Sequence, residues 1–107
     1  MILTVFRSRL RPDAGDGYAE MADATEAAAR AMPGFVSFES YAAPDGARVS
    51  LVEFATLEDQ RAWAAHALHR EAQAAGRDRW YETYDVAVCE VLRRATFETP
   101  QASRTSA

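Results

Sequence analysis

Apolar and polar positions alternate at the start of the chain. In residues 2–10, "ILTVFRSRL", Ile2, Thr4, Phe6, Ser8 and Leu10 fall on one side, and Leu3, Val5, Arg7 and Arg9 on the other. β-Branched and aromatic residues with a period of two predict a strand. Pro12, Gly15 and Gly17 in "RPDAGDG" end it. From Tyr18 to Met32 the period lengthens. Tyr18, Met21, Ala22, Thr25, Ala28, Ala29 and Met32 recur at helical spacing, with Asp16 as a possible N-cap. "PG" at 33–34 stops that helix. A second strand is expected over residues 35–42 and a third over 48–55, joined by a hairpin turn at Asp45-Gly46. "TLED" at 56–59 has the form of a capping box, with Thr56 capping and Asp59 reaching back. It opens a second helix, expected to run unbroken over 57–75 to Gly76. The last strand is expected over 83–94.

The order β-α-β-β-α-β is the ferredoxin-like, split βαβ plan. Right-handed crossovers then give an α+β domain with one four-stranded antiparallel sheet and both helices on one face. A sheet covered on one side should alternate apolar with polar. Here Val86 and Val88 oppose Ala87, Cys89 and Val91, and Val49 and Leu51 oppose Val52 and Phe54. In strand two, strict alternation sets Phe35 and Tyr41 opposite Val36 and Phe38. Both faces are apolar, yet two helices cover only one. A second copy, sheet against sheet about a two-fold axis, is the simplest cover, so a homodimer is expected.

Composition narrows the classes. The 107 residues suit one domain, placed at 1–96, with a polar tail at 97–107 expected to be disordered. Net charge is −4, from 12 basic and 16 acidic residues. The basic residues are scattered, which does not suit a nucleic-acid binder. No apolar run approaches the roughly 20 residues that cross a bilayer, and the first residues do not read as a signal peptide. With Cys89 as the one cysteine, no intrachain disulfide or cysteine-based zinc cluster can form. A cytoplasmic setting is the default. Neither a dinucleotide fingerprint nor a P-loop is present, so no cofactor is expected.

The chemistry-bearing residues concentrate in "RAWAAHALHREAQAAGRDRWYETY", residues 61–84. On a straight helix Trp63, His66, Ala67, Arg70 and Ala74 share a stripe beside the Leu/Ala stripe that would face the core. His66 is the candidate base or proton carrier, with Trp63 as an aromatic wall. Tyr84 is the candidate hydroxyl donor. Phe6, His69 and Tyr81 are candidate substrate contacts. The plain reading remains beside each: lone histidines satisfied at the surface, and a Trp80–Tyr81–Tyr84 cluster anchoring a corner. His66 and His69 are two ligands where zinc wants three or four, so no metal is expected. Cys89 reads as a small buried hydrophobe.

With "PGF" before strand two, a second helix bearing Trp63 and His66, and the closing "WYETYDVAVCEV", the chain resembles the antibiotic biosynthesis monooxygenase family over residues 1–94. The resemblance implies a dimeric α+β barrel, with a pocket in each protomer between helices and sheet. It implies a cofactor-independent monooxygenase acting on an aromatic or polyketide-like small molecule. Other members degrade heme or isomerise small molecules. For heme degradation Trp63 matches the family's tryptophan, but Gln73 stands where the histidine ligand would fall, ten residues on. Arg7 or Ser8 stands near the family's asparagine. Heme degradation is therefore not expected. The rival expectation is a non-catalytic small-molecule-binding or stress-related dimer of the same fold, or an isomerase.

Overall fold

The computed structural model describes residues 1–100, without the side chains of residues 67, 68, 69, 71 and 78. Four strands form one antiparallel sheet in the order β2-β3-β1-β4: β1 Ile2–Leu10, β2 Phe35–Ala42, β3 Ala47–Phe54 and β4 Tyr81–Glu90. Helix α1 spans Tyr18–Arg30, α2 Leu57–Ala64 and α3 Ala67–Ala75, and a π-helical turn, Gly76–Trp80, leads into β4. This is the ferredoxin-like α+β plan with one more helix than the sequence predicts.

Register fixes which side chains share a face. Ile2 pairs with Phe54, Thr4 with Val52, Phe6 with Ser50 and Ser8 with Arg48. On the other flank Thr4 meets Val88, Phe6 meets Val86 and Ser8 meets Tyr84. These residues make the inner face, toward the helices. The solid core lies at one end of it, where Ala29, Val52, Phe54 and Trp63 are buried together. The Phe54 and Trp63 rings sit 5.6 Å apart.

Four local expectations are corrected. Strict alternation sets Phe35 and Phe38 on opposite faces, but the β2–β3 register shifts between Phe35 and Ser37. The irregularity brings both rings against the core and leaves Val36 exposed. Asp16 does not cap α1. Gly17 takes that place at φ 99°, a left-handed conformation that glycine adopts without a Cβ penalty. The long second helix is two helices. Its first part ends at Ala65, whose N–H donates to the Arg61 carbonyl, and the His66 N–H turns back to the Trp63 carbonyl. Strand four runs over Tyr81–Glu90 and not 83–94, so Tyr81 lies within it and residues 91–94 lie beyond it. Thr56 caps α2 as expected: it accepts from the Asp59 N–H at 3.1 Å and donates to the Asp59 carboxylate at 2.9 Å.

Among the described residues no helix lies over the outer face. Leu3, Val5, Val49, Leu51 and Ala87 are half-buried there. Cys89 is exposed, not the buried hydrophobe its neighbours suggest. Beyond β4, Leu92 and Phe97 are exposed as well. Arg94 reaches back to pair with Glu53, which also accepts from Ser37. The tail expected from residue 97 falls mostly on residues 101–107, outside the described residues.

Candidate functional site

Away from the Phe54 end, the space between sheet and helices is not filled. A cavity of about 330 Å³ lies there. That is at the small end of ligand pockets, which run from roughly 300 to 1,000 Å³. Its floor is the inner face: Thr4 and Phe6 from β1, Ser50 and Val52 from β3, Val86 and Val88 from β4. Its roof is α1, through Tyr18, Met21 and Ala22, with Gln60 and Trp63 from α2 and Gln73 from α3. Val86 and Val88 line it yet are 41% and 48% exposed, so it opens over the β4 edge.

Several polar groups face this space without the partners that burial demands. Thr4 is 4% and Trp80 3% exposed. Neither the Thr4 Oγ1 nor the Trp80 Nε1 has a hydrogen-bond partner among the described residues. Unpaired buried polar atoms are rare in folded proteins and call for an explanation. Gln60, also buried, adds an amide. Trp80, Tyr81 and Tyr18 form one aromatic cluster, with Tyr18 5.6 Å from Trp80 and 5.9 Å from Tyr81. Burial first, then the neighbouring Tyr18 phenol, pushes the Tyr81 phenol well above the ordinary tyrosine value. Tyr81 therefore stays protonated and able to donate across the neutral range.

The residues singled out from sequence divide. Trp63, Phe6 and Tyr81 line the cavity. Tyr84 stands behind Phe6, stacked on it at 5.4 Å, and its hydroxyl accepts from Arg77 at 3.0 Å. His66 is exposed at the break between α2 and α3 and is not among the lining residues. The physical reason is that break. A straight helix carries His66 beside Trp63, but the chain turns at Ala65 and resumes with Ala72 and Gln73 facing the cavity. The His69 side chain lies outside the described residues. Among the described residues no three His, Cys, Asp or Glu side chains gather to hold a metal ion. Sequence reasoning passed over Thr4, Gln60 and Arg48. Their signal was there: positions 4, 8, 40, 48 and 50 share the inner face, and all are polar.

The family model for antibiotic biosynthesis monooxygenases matches residues 1–75. The chain belongs to this family. The uncharacterised protein YqjZ of Bacillus subtilis (strain 168) is 31% identical over 94 residues, covering 88% of this chain and 82% of YqjZ. Rv0793 from Mycobacterium tuberculosis superposes with a TM-score of 0.78 at 20% identity, over 89% of this chain and 98% of that one. SnoaB, a cofactor-independent oxygenase from Streptomyces nogalater, superposes with a TM-score of 0.73 at 18% identity, over 91% and 97%. At such identities the structural likenesses establish the fold, and the chemistry has to be argued from the site.

Proposed function

We propose that this family member is a cofactor-independent monooxygenase acting on an aromatic or polyketide-like small molecule, held in the cavity between helices and sheet. The observation that carries the reading is the cavity's make-up: aromatic walls around buried donors left unpaired in the empty protein. Such a site fits a flat ring system carrying oxygen acceptors. Phe6 and Trp63 supply the walls. Tyr81, held protonated, donates to a ring oxygen, and Tyr84 backs Phe6. SnoaB, of like fold, is a cofactor-independent oxygenase.

The reaction written for this site needs no group beyond substrate and O2. An activated ring CH2 loses a proton to water entering over the open β4 edge, giving a stabilised carbanion, and the carbanion carbon bonds to oxygen. The O–O bond then breaks. One oxygen stays as a ring carbonyl and the other leaves as water, carrying both hydrogens of the CH2. The protein's part is to position the ring and stabilise the oxyanion by preorganised donors. His66 has no part in it, given its exposed position. Gln73 lines the cavity where an imidazole would be needed for iron, which argues against heme degradation.

We place the working unit as a homodimer through the outer sheet faces, supported by the uncovered Leu3, Val5, Val49 and Leu51. Among the described residues no helix is long and apolar enough to cross a membrane. A cytoplasmic setting fits the free thiol of Cys89. The test is a panel of quinols and anthrones, scored by thermal shift and then by oxygen uptake. A compound that stabilises the protein and consumes one O2 per carbonyl formed supports the reading, and His66→Ala should retain that turnover. Stabilising compounds that drive no oxygen uptake would replace it with a binding or isomerase function.

A further inference from the structure

One end of the cavity differs in charge from the rest. Arg48, near the start of β3, projects from the inner face and lines the cavity. Its guanidinium lies over the Tyr18 ring, 5.5 Å from the centroid. Among the described residues it has no ion pair and no hydrogen bond. Four of the described arginines have a carboxylate opposite them. Arg7 and Arg9 face Asp85 and Asp45, Arg30 pairs with Glu26, and Arg94 with Glu53. Arg48 is half-buried, and among the described residues its guanidinium meets the Tyr18 ring face instead of a carboxylate.

Near it lies a group that can only donate. Trp80 Nε1 is donor-only, almost fully buried and unpartnered. It belongs to a ring cluster centred on Tyr18, the ring on which Arg48 lies. Tyr81 is in the same cluster and remains a donor. Guanidinium and indole N–H offer donors alone, and both side chains line the cavity beside the Tyr18 ring. The complement is an acceptor-only group of negative charge. Stacking on Tyr18 holds the guanidinium plane and leaves its N–H edges for a bidentate partner.

Resting on the cavity reading above, we propose that the ligand is an aromatic carboxylic acid whose carboxylate is held at the Arg48–Trp80 end, making Arg48 the residue that selects acids over neutral rings. One guanidinium balances one carboxylate, whereas a phosphate would ask for more cations than this end supplies. The cavity's volume admits a ring system of about two fused rings. Val52 lies four positions along β3 from Arg48, a span of about 13 Å at the strand's rise per residue. The far end of the ring system then meets Thr4, the β1 partner of Val52. Two acidic residues also line the cavity, both on α1. Glu26 is already paired with Arg30 at 2.8 Å, and Asp23 is exposed at the rim.

The test uses two probes that differ only in the acid group, 1-hydroxy-2-naphthoate and 1-naphthol, by titration calorimetry on the full chain. Wild-type protein should bind the acid at least tenfold more tightly. Arg48→Gln should remove that preference while leaving 1-naphthol within twofold, and Arg48→Lys should retain part of it. Unfolding temperatures of the free variants check that each is folded. If Arg48→Gln does not fold, the wild-type preference and the Arg48→Lys affinities decide. Equal binding of both probes by wild type, or equal loss of both in Arg48→Gln, overturns the anchor and leaves the cavity reading standing. Binding of neither probe overturns both.

Discussion

Thr4→Val should separate the demands of folding from those of binding. Thr4 lies mid-strand on the inner face, 4% exposed, with no partner for its Oγ1 among the described residues. A buried hydroxyl left unsatisfied costs about 1–3 kcal/mol. Valine keeps the shape and β-branching and removes the polar atom. Exchanging threonine for valine in a core is not normally neutral, because the hydroxyl is normally bonded. Here the sign should reverse, and the free protein should gain about 1–2 kcal/mol. In a domain of this size that raises the melting temperature by roughly 4–8 °C per kcal/mol. A ligand whose far oxygen accepts from Thr4 would lose one neutral hydrogen bond, about 0.5–1.5 kcal/mol. That weakens binding by up to about tenfold. Urea unfolding at an unchanged m-value measures the first effect, and calorimetry with the best ligand measures the second. If Thr4→Val destabilises the free protein by 1 kcal/mol or more, the hydroxyl is already satisfied there, and the idea of a site kept open for acceptors fails.

Three further perturbations follow from particular contacts. Gly34 has φ +77°, and a methyl there would lie 2.9 Å from the Asp59 Cβ and overlap its carboxyl group. Gly34→Ala should therefore lose about 1–2 kcal/mol to left-handed backbone strain and about 1 kcal/mol more through the disturbed Thr56–Asp59 cap. A loss below 1 kcal/mol in urea unfolding would count against that geometry. The Tyr81 phenol is raised in the folded state, so its contribution to stability is full below the unfolded tyrosine value, about pH 10, and is lost as pH rises through the folded value. Tyr81→Phe removes that penalty, and its alkaline unfolding midpoint should move upward. An unchanged midpoint would mean that Tyr81 titrates freely. Leu51→Lys puts a charge amid the outer apolar face, while its long stem can keep the ammonium in water. It should sediment as a monomer where wild type sediments as a dimer. A wild-type monomer at micromolar concentration refutes the dimer.

The elements were largely legible because each depends on local chemistry. Alternation over residues 2–10, the Asp45-Gly46 turn, and the Thr56 cap answered by Asp59 all concern neighbours in sequence. What was not legible depends on closure of the fold. The shift at Phe35–Ser37 is settled by which rings can reach Phe54. The break at Ala65 is invisible to a periodicity that assumes a straight axis, and it moved His66 from the expected wall to the surface. Trp63, Phe6 and Tyr81 line the cavity because they are large rings at inward positions of α2, β1 and β4. The polar cluster was the readable signal left unread. Thr4, Ser8, Ser40, Arg48 and Ser50 share one side of a sheet whose other inner positions include Ile2, Val52 and Phe54.

That inner face also bears on why the outer face is apolar. Where Val52 and Phe54 meet Ala29 and Trp63 the interior is solid. Where Thr4, Arg48 and Ser50 take over, it is hollow. A small domain has little apolar area to spare, and a hollow costs dispersion contacts as well as transfer energy. The lost stabilisation has two sources of replacement. One is the proposed association through Leu3, Val5, Val49 and Leu51, which would tie protomer stability to concentration. The other is the ligand, which at a hundredfold excess over its Kd contributes about 2.7 kcal/mol. Both act on the same four strands, one from each side. If the sheet carries this coupling, saturating ligand should raise the stability of wild type and of Leu51→Lys alike. The variant should start lower, and its stability should cease to depend on protein concentration. A ligand that stabilises only the wild-type dimer would instead mean that the cavity is completed by the second copy.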